Sequence, residues 1–252
     1  MSSAPKAAAF TALHAKGDPL VLVNIWDAGS ARCVADAGAK ALATGSWSVA
    51  AAQGYADGEQ LPLDLLAMII DRITATTNLP LSVDLEGGYG VSPETVAATL
   101  RRLLPLGIAG INFEDGIVGG TGLHPLNAHC KRIAALRAEA DAFGVPLFIN
   151  ARTDLFLQAP ADEHTRLIAA ALERAAAYAE AGASGFFAPG LADRDLIARL
   201  CTEVALPVNI MMTRATPDLP TLRALGVARA SFGPGPYRDM QTYLTDAARR
   251  HL

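Results

Sequence analysis

Asp84, Glu86 and Glu114 are the residues of this chain with the clearest capacity for chemistry. Asp84 and Glu86 sit two apart at the end of one apolar run, and Glu114 ends the next in Asn112-Phe113-Glu114-Asp115. Alternate residues of a strand face the same way, so Asp84 and Glu86 are expected to point together. Converging carboxylates repel unless a cation sits among them. A hard, oxygen-seeking ion that keeps part of its water, such as Mg2+, suits that set. The bland alternative is that these carboxylates cap helices or pair with lysines, since acidic side chains favour helix N-termini. Arg152, in Asn150-Ala151-Arg152-Thr153-Asp154, is the cationic side chain at the same rim. It suits a carboxylate-bearing substrate, or else it pairs with Asp154 or Glu114.

Other polar positions fall at the ends of apolar runs. Gly45-Ser46-Trp47 offers backbone N–H groups and a hydroxyl to a substrate carboxylate, or is a plain connection. Trp26 follows one further run and Asn209 lies within another, and both join the candidate substrate-binding set with Gly45, Ser46, Trp47, Asp84 and Arg152. Gly87-Gly88-Tyr89-Gly90 lacks the spacing of a dinucleotide loop. Gly233-Pro234-Gly235-Pro236 is either a barrel phosphate site or a rigid turn.

These positions need strands to hold them. Eight short apolar runs occur: Leu20–Ile25, Lys40–Thr44, Pro80–Leu85, Ala109–Phe113, Pro146–Ala151, Gly185–Ala188, Pro207–Met211 and Ala228–Phe232. Their continuous apolarity fits parallel strands buried on both faces. Helical patterns follow each, from Ser30–Ala37 to Tyr237–His251, and Gly38, Gly107, Gly144, Gly182 and Gly226 stand where helix C-caps belong. Eight such units give a (β/α)8 TIM barrel as one domain over residues 1–252, a length near the ~250 residues of that fold. A doubly wound open sheet is the competing architecture. An additional N-terminal helix over residues 3–16 is expected to plug or flank the barrel bottom.

Composition excludes several classes. The net charge is −4, with arginines scattered singly or in pairs, so nucleic acid is not an expected partner. No apolar run approaches ~20 residues, so no membrane span is expected. The start, Met1 to Ala15, lacks a long apolar core with a cleavage site, and no signal peptide is read. Cys33, Cys130 and Cys201 are far apart and odd in number, which fits a reducing cytoplasm rather than a disulfide framework.

Six ordered motifs then carry a resemblance over nearly the whole chain. They are Asn24-Ile25-Trp26-Asp27-Ala28, Gly54-Tyr55-Ala56-Asp57-Gly58-Glu59, Asp84-x-Glu86-x-Gly88-Tyr89-Gly90, Asn112-Phe113-Glu114-Asp115, Ala151-Arg152-Thr153-Asp154 and Ser231-Phe232-Gly233. Together they resemble the isocitrate lyase / phosphoenolpyruvate mutase superfamily. The resemblance implies Mg2+-assisted chemistry on a small 2-oxo acid through an enolate. It implies Asp84 and Glu86 as the metal pair, with Asp57 and Glu114 as outer partners, so that Arg152, Asp57 and Glu114 form the catalytic set. Gly45, Ser46 and Trp47 match the segment that binds the substrate carboxylate, and Arg152 the arginine that steadies charge at the departing group. It also implies a homo-oligomer, dimer or tetramer, with the last helix, Tyr237–His251, exchanged between subunits.

The departures narrow the reaction. The lyases of that superfamily carry Lys-Lys/Arg-Cys-Gly-His on the loop after strand four. Here the loop reads Gly116-Ile-Val-Gly-Gly-Thr-Gly-Leu-His124-Pro, and Cys130 comes later, at a helix start. The acidic residue those lyases place after strand six is replaced by Pro189-Gly190. The Gly-rich loop is a candidate lid, with Thr121, His124 and Asn127 as its possible contributors. Three readings remain: C–C bond chemistry on a small 2-oxo (di)carboxylic acid, P–C bond chemistry on a phosphonopyruvate-like acid, and a non-catalytic 2-oxo acid binder.

Overall fold

The computed structural model describes residues 3–252. The first apolar run divides at Val23 into β1 (Leu20–Leu22) and β2 (Asn24–Ile25). β1 pairs with the last strand, β9 (Arg229–Ser231), with Leu20 opposite Arg229. β2 pairs instead with β3 (Leu42–Thr44), with Asn24 opposite Ala43. The chain through Val23 therefore closes the ring. Between them stand β4 (Leu81–Asp84), β5 (Gly110–Glu114), β6 (Phe148–Arg152), β7 (Gly185–Phe187) and β8 (Val208–Met211), each parallel to its neighbours. The expected (β/α)8 barrel is the observed fold, with strand one in two pieces.

The N-terminal helix is shorter than read from sequence. α1 runs Ser3–Ala12 rather than to residue 16. It plugs the barrel bottom: Phe10 is fully buried and meets Phe148, the first residue of β6, edge-on at 5.5 Å. Gly110 makes room for it, because a Cβ there would lie 2.9 Å from the Phe10 ring. Just past α1, His14 stacks on Phe148 at 3.9 Å and donates from Nδ1 to the Phe10 carbonyl at 2.8 Å.

The outer helices are α2 (Ala28–Asp36), α4 (Leu63–Thr76), α5 (Pro93–Leu103), α6 (Leu126–Phe143), α7 (His164–Glu180), α8 (Arg194–Glu203), α9 (Leu219–Ala224) and α10 (Gly235–Arg249). α2 starts earlier than its pattern suggested because Asp27 caps it. The Asp27 carboxylate accepts from the Ser30 amide at 2.7 Å, and Ser30 Oγ accepts from the Asp27 amide at 3.0 Å. Gly144 ends α6 in the left-handed region, at φ 79°, as its sequence position implied. One helix had no sequence signal: α3 (Ser46–Ala52) begins directly after β3, where the reading placed a turn.

Candidate active site

At the C-terminal ends of the strands lies a cleft of about 190 Å3. Gly45, Ser46, Trp47, Asp57, Asp84 and Arg152 line it, so six of the residues picked from sequence meet there. Asp84 ends β4, and its amide donates to Thr44 Oγ1 at 2.9 Å. The start of α3 supplies its remaining partners. The Ser46 amide donates to Asp84 Oδ2 at 3.1 Å and the Ser46 hydroxyl donates to the same oxygen at 2.9 Å. The other oxygen, Oδ1, is buried with no hydrogen-bond partner. Asp57 follows α3. Burial, and then the negative charge of Asp84, raises its pKa.

Glu86 and Glu114 are not among the cleft-lining residues, though both feel the charge of Asp84, and strand alternation does not describe the place of Glu86. β4 stops at Asp84, and Glu86 adopts a left-handed backbone with φ 52°. Its Oε2 accepts from the Glu59 amide at 2.8 Å. Glu59 is itself left-handed, at φ 58°, and its own carboxylate accepts from the Tyr89 amide at 2.7 Å. Non-glycine residues held in this region are strained unless their surroundings compensate. Here the two glutamates hold one another's turns. Burial, followed by repulsion from Asp84, lifts the Glu86 pKa to about 7.

Glu114 ends β5 and Arg152 ends β6, directly opposite each other in the sheet register. Arg152 Nη1 contacts Glu114 Oε2 at 2.8 Å, while Nε and Nη2 reach the two oxygens of Asp154 at 2.6 and 3.1 Å. Both readings of Arg152 are therefore present: it is ion-paired and it lines the cleft. Burial lifts the Glu114 pKa to about 8 against the opposing pull of Arg152. Burial works against the Arg152 charge, yet Glu114, Asp154 and Asp84 hold its pKa above the ordinary arginine value.

This donor set fits a hydrated divalent ion. Asp84 has a bare buried oxygen, and Asp57, Glu86 and Glu114 all feel its charge. Among the described residues no three His, Cys, Asp or Glu side chains are grouped tightly enough to cage an ion by themselves. Mg2+ commonly takes one or two carboxylates and keeps several waters, so a partial set suffices.

Beneath the cleft the barrel interior is polar, which the sequence reading missed. Asn150 Nδ2 donates to Asn112 Oδ1 at 2.9 Å, and Arg229 Nη2 donates to the same oxygen at 3.2 Å. Arg229 Nε donates to Ser231 Oγ at 3.1 Å, and Ser231 donates to Asn209 Oδ1 at 3.1 Å. Arg229 has 0% of its surface exposed, and burial lowers its pKa to about 9 while the charge of Asp84 opposes the shift. The available signal was polar residues inside otherwise apolar runs at matching register: Asn112 opposite Asn150, Asn209 opposite Arg229.

Other expected residues lie elsewhere. Trp26 is not among the cleft-lining residues and meets Tyr237 edge-on at 4.9 Å. Asn209 is buried behind Ser231. The segment after β5 folds on itself, with a bridge between Gly116 and Leu123 and the Ile117 amide donating to the Gly122 carbonyl at 3.1 Å. Thr121, His124 and Asn127 are not among the residues lining the cleft. His124 stacks toward His129 at 6.4 Å. Asp115 is structural: fully buried, it accepts from Tyr178 at 2.7 Å, Arg174 at 3.1 Å and the Asp154 amide at 2.9 Å. Cys130 is half-buried on α6.

Residues 10–252 match the family described as phosphoenolpyruvate phosphomutase. A crystal structure of a proposed phosphonomutase from Burkholderia cenocepacia J2315 superposes with a TM-score of 0.96 at 48% identity, covering 98% of this chain and 99% of that one. The 2-methylisocitrate lyase of Escherichia coli K12 is 34% identical over 92% of this chain and 79% of its own length. The oxaloacetate decarboxylase of Chromohalobacter salexigens is 31% identical over 86% and 75% respectively. With the barrel, the rim carboxylates and these matches together, the chain belongs to the isocitrate lyase / phosphoenolpyruvate mutase superfamily and is an enzyme of that group.

Proposed function

We propose that this chain is a Mg2+-dependent lyase or hydrolase that cleaves a C–C bond of a small 2-oxo (di)carboxylic acid through an enolate. The observation that carries the reading is the bare, buried Oδ1 of Asp84 beside Asp57, Glu86 and Glu114, with Arg152 on the same cleft. The relatives named above act on methylisocitrate and oxaloacetate, both small carboxylic acids, which supports the substrate class. Asp84, Glu86 and Glu114 are the residues to hold the ion, partly through water. When bound, Mg2+ supplies Lewis-acid polarisation of the 2-oxo group. Ser46 fixes one Asp84 oxygen and leaves the other without a hydrogen-bond donor, free for the ion. Arg152, locked by Glu114 and Asp154, presents a positive charge to the anion that develops on bond cleavage without needing to reorganise.

The test is turnover of a panel of small 2-oxo and 2-hydroxy acids with Mg2+ and with a chelator. Metal-dependent release of a 2-oxo acid, or of oxalate where water cleaves the bond, supports the reading. A second reading, P–C bond chemistry, is favoured by the similarity to a proposed phosphonomutase. Release of pyruvate and phosphate from phosphonopyruvate selects it. Tight binding of an acid without turnover of any selects a non-catalytic binder. The three unpaired cysteines suit a reducing cytoplasm, and a homo-oligomer is the proposed assembly.

A further inference from the structure

The cleft divides by strand. Its hydrogen-bonding groups stand on one arc of the barrel, which begins at β9 and runs through the closure to β5: Ser231 on β9, Asn24 on β2, Ser46 after β3, Asp84 on β4 and Asn112 on β5. The facing arc is apolar: Leu157 after β6, Phe187 on β7, Pro189 after it and Met211 on β8. The strand order places these two arcs on opposite sides of the ring. Arg152 stands at the boundary, on β6, with Nε, Nη1 and Nη2 all engaged by Glu114 and Asp154. No other Lys, Arg or His among the described residues lines the cleft.

We propose that the cleft takes an acid with a single 2-oxo or 2-hydroxy carboxylate head on the Asp84 arc and a short uncharged end, alkyl apart from the one hydroxyl or carbonyl that C–C cleavage needs, on Leu157, Phe187, Pro189 and Met211. The proposal rests on the metal-bound head group of the function proposed above and specifies the end that function leaves open. A second carboxylate directed to the far arc would give up water for a wall whose one neighbouring cation, Arg152, is already shared between Glu114 and Asp154, and burying a charge without a partner of its own is strongly unfavourable. An alkyl group there gains by leaving water. Phe187 and Pro189 are buried, so that wall is fixed, while Leu157 stands at the mouth with 45% of its surface exposed. The cleft volume of about 190 Å3 falls below the roughly 300–1,000 Å3 of ordinary small-molecule sites. That limits the alkyl end to a few carbons.

Calorimetry on the full chain with Mg2+ separates head from tail. Oxalate probes the head alone. The pair 2-hydroxybutanoate and malate shares that head and differs only in a methyl or a carboxylate at the far end. The expected result is oxalate binding, with 2-hydroxybutanoate at least about tenfold tighter than malate. Leu157→Arg supplies a cation at the exposed mouth without disturbing the core, and is expected to reverse that order while leaving oxalate affinity within about twofold. Met211→Lys is the second variant and carries the same expectation. Oxalate binding with malate equal to or tighter than 2-hydroxybutanoate in the unsubstituted protein overturns this inference and leaves the function standing. Failure of oxalate to bind overturns both.

Discussion

Both hydrogen bonds that Ser46 gives to Asp84 land on one oxygen, Oδ2, and leave Oδ1 buried and bare. A buried carboxylate oxygen without a donor is costly unless a cation compensates it. Asp84→Asn tests that relationship. Asparagine can keep its carbonyl on Ser46 while turning an NH2 group toward the place of the bare oxygen. Unfolding free energy is expected to change by less than about 1 kcal/mol. Mg2+ affinity and metal-dependent turnover are expected to fall by on the order of a hundredfold or more. Undiminished Mg2+ binding in a titration of the variant would remove Asp84 from the ion's ligand set.

Arg152 is held as a fork rather than as a point charge, since Nε, Nη1 and Nη2 contact Glu114 and Asp154 at once. Lysine keeps the charge and cannot span both carboxylates. Arg152→Lys is therefore expected to lower kcat/KM by about a hundredfold, and to reduce stability by on the order of 2 kcal/mol because one carboxylate loses its partner. Steady-state kinetics and urea unfolding read the two effects separately. A variant with normal kcat/KM would reduce Arg152 to a structural ion pair.

The barrel was legible because its strands are buried on both faces and so read as plain apolar runs. Asp84, Glu114 and Arg152 were legible because they end such runs. Glu86 was expected to point with Asp84 by strand alternation, whereas its left-handed backbone and the Glu59 amide set its place. Glu59 stands in one of the six motifs but received no role, since nothing local marks a residue whose partner lies thirty positions away, at Tyr89. Helix α3 was read as a turn because a seven-residue segment opening on Gly45 has too few positions to show a period. The Arg229 network was hidden inside an apolar run, and only the pairing register reveals that Asn112, Asn150, Asn209 and Ser231 share one interior.

Helix α10 leaves apolar side chains uncovered. Tyr237 is its buried residue, while Tyr243 and Leu244 are 71% and 61% exposed. Adjacent apolar residues this exposed on a terminal helix suit contact with a second copy. The unsubstituted protein is expected to be a dimer or tetramer by light scattering. Tyr243→Glu combined with Leu244→Glu is expected to shift it to monomer, with the barrel's circular dichroism unchanged. A monomeric unsubstituted protein at tens of micromolar would reject the assembly.

His14 gives the fold a pH dependence that can be isolated. It lies between α1 and the barrel, 7% exposed and stacked on Phe148. Burial first, then the positive charge of Arg229, lowers its pKa to about 3. An unfolded histidine titrates near 6.5. The folded pKa is depressed, so the unfolded chain binds the proton more readily. The contribution of neutral His14 is then present in full above about pH 6.5 and is lost as pH falls toward the folded value. Between pH 7 and pH 5 that loss is about 2 kcal/mol. His14→Phe keeps a ring on Phe148 and removes the titration. Urea midpoints of the two proteins at pH 7 and pH 5 should show the unsubstituted chain losing about that much more than the variant. Equal losses would mean that His14 takes up its proton in the folded barrel as easily as in the unfolded chain.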